Sequence, residues 1–158
     1  EKFEAFLRKY SRIAYEWGAQ FWGVNVNQDK QVYREYTPFS TLSYIGGPFQ
    51  CFLKGTELRY DEDLYLKEDY DMTLQQIRKH RTAVRVNKFF YRGKQSEQAG
   101  GCAVQRNLQE EQRQFELLEK KWGSDIVRRD NNNRSHNLTK EKTREDYNPI
   151  IKVPLSGI

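Results

Sequence analysis

The sequence predicts an α/β fold, in which helices and strands interleave. Three observations carry it. Apolar residues recur at helical spacing in residues 2–17 and 107–123, β-branched and aromatic runs fill 21–26 and 83–91, and the two kinds of segment alternate along the chain.

Phe3, Phe6, Leu7, Tyr10, Ile13, Ala14 and Trp17 lie three or four residues apart, so 2–17 is an amphipathic helix that Gly18 ends. "FWGVNV" (21–26) is a strand and "NQDK" behind it a turn. "STLSYI" (40–45) and "FQCFL" (49–53) read as short strands joined by the tight turn Gly46-Gly47-Pro48. A helix over about 70–80 follows, then the strand "AVRVNKFFY" (83–91). "NLQEEQRQFELLEKKWG" (107–123) is a second long helix, with Asn107 as its cap and Gly123 as its stop. From Arg128 onward the chain turns polar, and 128–146 is expected to be a mobile arm because it has too little apolar surface to order itself. "NPIIKVPL" then resumes an apolar run, so 147–158 should dock back on the body formed by 1–127.

At 158 residues the chain suits one domain or part of a larger one, and its 14% of aromatic residues supply enough burial for a folded core. Its net charge of +5 suits an anionic partner without requiring one. Cys51 and Cys102 show no metal-ligand or disulfide spacing, and no apolar run reaches membrane-spanning length. A cytoplasmic protein with no membrane partner is expected, with the sequons at Asn133 and Asn137 unused.

The acids in "YDEDLYLKEDYDMTLQQIRKH" stand out, because Glu68, Asp69 and Asp71 crowd the start of a helix just after Asp61, Glu62 and Asp63. Helix capping accounts for one or two of them. The rest call for something that offsets their mutual repulsion, such as a cation or a proton in transit. A calcium loop is excluded, since Leu66 stands where the loop needs Gly and the closing Glu is absent. Gly46-Gly47-Pro48 either brings backbone N–H groups close to a ligand or makes an ordinary turn. Gly100-Gly101-Cys102 lies in a polar loop without a neighbouring His, so Cys102 reads as a structural thiol; His80 closes a helix where its charge suits the dipole, and His136 sits in the polar arm. The cations and aromatics of "RVNKFFYRGK" could bind nucleic acid, but in a strand half of them face a core.

Taken together, "YTPFSTLSYIGGPFQCF", "ELRYDEDLYLKEDYDMTLQQIRKH", "VRVNKFFY", "AGGC" and "QFELLEKKWG" resemble the C-terminal half of a GT-A-type glycosyltransferase, most closely the TET-associated glycosyltransferase-like group of bacteriophages and mobile elements. The resemblance spans about 1–127 and the ending "DYNPIIKVPL". It implies an x-E-D motif at Lys67-Glu68-Asp69, with Asp69 as general base toward an acceptor hydroxyl and Glu68 orienting a sugar. It implies a mixed sheet flanked by helices, with Gly46, Gly47 and Pro48 beside the sugar, and Asp71 is expected with them on the substrate-binding side. A nucleotide sugar is the implied donor, and a modified base in DNA is the acceptor that a phage setting suggests.

The family's nucleotide-binding half, with its D-x-D metal motif, does not precede Glu1. A divalent cation, Mn or Mg, is therefore expected only in a longer protein, where that missing half or another copy would complete the site. The competing reading is a non-catalytic module that binds nucleic acid or protein.

Overall fold

Helix α1 (Lys2–Glu16) forms because Tyr10 and Ala14, flanked by Phe6, Leu7 and Ile13, make one apolar stripe that the sheet covers. A computed structural model of the chain describes residues 1–26, 35–91, 107–130 and 147–153. After α1 come β1 (Phe21–Asn25), β2 (Phe39–Ser40), β3 (Gln50–Phe52), a 3-10 turn at Glu62–Leu64 and α2 (Glu68–His80). β4 (Val84–Phe90), α3 (Leu108–Trp122), β5 (Val127–Arg129) and β6 (Pro149–Ile151) complete the order.

Four strands form one mixed sheet in the order β2-β4-β1-β3. β1 and β4 run parallel, while β1–β3 and β2–β4 are antiparallel. Period-two alternation divides β1 between two cores. Trp22 and Val24 join Val84 and Val86 under α1, whereas Phe21 packs with Ile45, Met72, Ile77 and Ala83 on the side of α2. Trp22 is fully buried, its indole N–H donating to Ser11 Oγ at 3.0 Å, and burial of such a ring contributes on the order of 3 kcal/mol.

α2 is enclosed on nearly all sides. Met72 and Ile77 face the sheet, while Leu74 meets Phe115, Leu118, Val127 and Tyr147 in a third cluster built by α3 and the β5–β6 ribbon. α2 ends at Arg81, which takes a left-handed conformation (φ 63°) and closes the helix with a bond from its N–H to Ile77 O. Asn107 Oδ1 accepts from Glu110 N at 2.8 Å, as a cap should, and Gly123 stops α3.

Three boundaries differ from the sequence expectation. The strand expected over 40–45 shrinks to Phe39–Ser40, because the polar groups of Ile45 are taken by side chains: its N–H donates to Thr73 Oγ1 and its carbonyl accepts from Gln50 Nε2. α2 starts at Glu68 rather than near 70, so the acids lie in its first turn. Arg128 and Arg129, assigned to the polar arm, belong to β5 and pair with β6. Residues 131–146 of that arm, with His136, Asn133 and Asn137, the 27–30 turn, and Gly100-Gly101-Cys102 lie outside the described residues. No described helix is long and apolar enough to cross a membrane.

Candidate active site

Three devices place the acids of α2. The first is a clamp from α3 on the chain just ahead of them. Gln114, fully buried, accepts from Leu66 N through Oε1 and donates to Asp63 O through Nε2. Lys67 is buried at 2% exposure, its ammonium paired with Glu111 Oε2 at 2.5 Å. The residue directly before Glu68 is thus pinned inside the protein, which fixes where the first turn of α2 emerges.

Glu110 completes this clamp by accepting from the Tyr65 hydroxyl at 2.6 Å and from the Arg113 guanidinium at 2.7–3.1 Å. Arg113 first, and Tyr65 next, hold its carboxyl down at about 2, against an ordinary 4.5. A native pKa below the unfolded one means that the unfolded chain binds more protons between those values. The stability from Glu110 is therefore present above pH 4.5 and lost as pH falls toward 2. In thermal melts, wild type should lose its advantage over Glu110→Gln across that acid window; a constant difference between the two would show that the clamp adds nothing through this charge.

The second device is the Gly46-Gly47 turn. Ile45 packs so tightly on β1 that a Cβ on Gly23 would lie 2.3 Å from Ile45 Cγ2 and 2.6 Å from Phe49 O. That contact anchors the turn, which a bond from Phe49 N to Gly46 O closes. Gly46 is itself buried, and a Cβ there would lie 2.2 Å from Tyr91 Oη and 2.6 Å from Val26 Cγ1. Gly46→Ala should cost about 1–3 kcal/mol by overpacking. Adding Tyr91→Phe, which removes the nearest atom, should recover part of the loss in a double-mutant cycle; strict additivity in denaturant melts would contradict the packing.

The third device is the tyrosine cluster around Asp69. Its Oδ2 accepts from the Tyr44 hydroxyl and from Gly47 N–H at 3.0 Å, while Oδ1 accepts from Tyr70 N–H at 2.9 Å. The Tyr44 ring stacks on Tyr70 with centroids 4.1 Å apart. Burial first, then the Asp69 charge, push the Tyr44 phenol far above its usual range, so it stays a protonated donor. The same two causes raise Tyr91 to about 12, and burial followed by Glu68 and Asp69 raises Tyr60.

Glu68, Asp69, Gly46 and Gly47 are thus brought together: a Cβ on Gly47 would lie 3.5 Å from Asp69 Oδ2 and 3.6 Å from Glu68 Oε1. Gly47 and Pro48 are exposed, so this corner opens to solvent. Asp69 also serves its helix by accepting from Tyr70 N–H, the local role that an acid in a first helical turn is expected to play.

Asp71 requires correction as a substrate-binding residue. It accepts from Trp122 Nε1 at 2.8 Å and Gln75 Nε2 at 2.7 Å, pairs with Lys121 at 2.9 Å, and is fully buried, so no surface of it is open to a ligand. Asp61 is likewise engaged, 2.6 Å from Lys121 Nζ. Among the described residues no three His, Cys, Asp or Glu side chains form a group that could hold a metal. His80, at the end of α2, has its pKa lowered by burial and by Lys79. In β4, Val84, Val86 and Asn87 turn inward while Lys88, Phe89 and Phe90 are exposed.

The tyrosines were missed in the sequence, although a signal existed for one of them. Tyr44 stands two residues before Gly46, so in an extended segment its side chain falls on the glycine's side. Comparison of the chain with protein-family models, curated proteins and solved structures gives no match.

Proposed function

We propose that this corner is the acceptor side of a glycosyl-transfer site, in which Asp69 takes the proton of an acceptor hydroxyl as it attacks the anomeric carbon of a nucleotide sugar. The observation that supports it is the seating of Asp69: two donors from the Gly46-Gly47 turn segment fix Oδ2, at an opening whose floor is a residue without a side chain. A carboxylate oxygen accepts two hydrogen bonds, so Oδ1, with one from Tyr70 N–H, has capacity for a proton.

In the proposed step the acceptor oxygen forms a bond to the anomeric carbon as the bond from that carbon to the diphosphate oxygen breaks. The nucleoside diphosphate leaves with the electron pair, and the acceptor proton passes to Asp69. Glu68, beside the same glycine, accepts from a sugar hydroxyl and orients the ring. Tyr60, 45% exposed and close enough to feel both charges, offers an aromatic face for the ring's C–H side. In this GT-A-like reading a longer protein, or another copy, supplies the nucleotide-binding half.

The test is transfer of isotopically labelled sugar from nucleotide sugars to hydroxyl acceptors, hydroxymethylated DNA included. It is run on residues 1–158 and on the chain joined to any residues encoded upstream. Transfer that depends on Asp69 supports the reading, and its absence from every form of the protein overturns it.

A further inference from the structure

The opposite face of α2 carries a different chemistry. Asp71, Gln75, Arg78 and Lys79 lie four, seven and eight residues along one stripe, turned away from Asp69 and Thr73. With Leu58, Arg59, Asp61, Lys121 and Trp122, residues of this stripe line a trough of about 610 Å³. Its four cations, Arg59, Arg78, Lys79 and Lys121, are all exposed, so the trough is open to solvent.

The two lysines are already matched, Lys79 with Glu57 at 2.9 Å and Lys121 with Asp61 and Asp71. Neither guanidinium makes an ion pair among the described residues, although Arg59, after Lys79, helps to hold the Glu57 carboxyl below its usual range. Each is nevertheless held. Arg59 Nη1 donates to the carbonyls of Thr56 at 3.0 Å and Leu58 at 2.9 Å, leaving Nε and Nη2 to offer a paired edge. Arg78 lies over the Trp122 ring, its guanidinium carbon 5.8 Å from the centroid, and its N–H groups make no hydrogen bond among the described residues. Guanidinium forks held in this way match the oxygens of a phosphate.

We propose that this trough binds the sugar-phosphate backbone of a nucleic-acid strand through Arg59 and Arg78. A nucleic-acid strand carries one charge on each phosphodiester, so Arg59 on the 56–60 loop and Arg78 on α2, held on separate elements, can each meet one. An open trough that pairs cations with an aromatic side chain also suits a strand. The assignment does not depend on sugar transfer, since it uses none of Glu68, Asp69 or the Gly46-Gly47 turn.

The experiment is fluorescence anisotropy of a fluorescein-labelled twelve-residue thymidine oligonucleotide, titrated with the chain at several salt concentrations. Arg59→Gln/Arg78→Gln should weaken binding at least about 10-fold and flatten the log–log salt slope by about 1.4, two phosphates at about 0.7 each. Arg8→Gln/Arg12→Gln removes the same charge from α1 and should change affinity less than about 2-fold. Arg78→Gln alone leaves the loop bonds of Arg59 intact and should still weaken binding about 3-fold, so a misfolded double variant does not shield the idea. Absence of oligonucleotide binding by the wild-type chain, or equal losses in the trough and α1 variants, overturns the proposal. So does trough-dependent binding of pyrophosphate without the oligonucleotide.

Discussion

Asp71→Ala is expected to lower the unfolding free energy by about 3 kcal/mol, the low end of what breaking a buried ion pair costs. The carboxylate is fully buried and joins α2 to α3, through Trp122 Nε1 at 2.8 Å and Lys121 Nζ at 2.9 Å, while also accepting from Gln75. Its removal strips the indole N–H of its acceptor and leaves a cavity beside the α2–α3 cluster. Lys121 limits the loss because it keeps Asp61 at 2.6 Å. Burial opposes the Lys121 charge, yet the hydrogen bonds to Asp61 and Asp71 outweigh it and raise its pKa. Asp71→Asn retains an acceptor and the volume, and should cost less than the alanine variant. Urea melts at neutral pH measure both, and an alanine variant within about 1 kcal/mol of wild type would show that this tie does not hold the helices together.

That tie lies at the limit of what a sequence discloses. α1, α3, β1 and β4 were legible because each carries its own periodicity, and the Asn107 cap because capping is local. Asp71 was not. Three acids in one helical turn look alike in sequence, and their fates diverge only through partners far along the chain: Trp122 for Asp71, Tyr44 and Gly47 for Asp69. The same distance hides Lys67, whose burial against Glu111 reverses what its charge suggests. The strand expected over 40–45 failed for a related reason. Its pattern was acceptable, but Thr73 and Gln50 offered the Ile45 backbone side-chain partners in place of a neighbouring strand. The contact of Asp69 with the Gly46-Gly47 turn was not legible either, because periodicity carries no information on contacts across 22 residues.

Asp69→Asn should reduce sugar transfer by about 10²-fold to 10⁴-fold in kcat while leaving folding close to wild type. Asn keeps the size of the side chain and, through its carbonyl oxygen, an acceptor for Tyr44 and Gly47 N–H, so the seat survives. What it cannot do is take a proton. Tyr44→Phe separates positioning from proton transfer, because it deletes one of the two donors on Oδ2 and leaves the carboxylate itself. It should lower kcat by about 10-fold with a smaller change in KM, as expected when an oriented group loses part of its support. The measurement is initial rates of transfer for both variants, set against their melting temperatures. An Asp69→Asn enzyme within tenfold of wild type, or one whose loss of activity tracks a loss of stability, reduces Asp69 to a helix-terminal acid bound to Tyr70 N–H and leaves the corner without a base. A Tyr44→Phe variant as impaired as Asp69→Asn would instead place the phenol, not the carboxylate, at the centre of the chemistry.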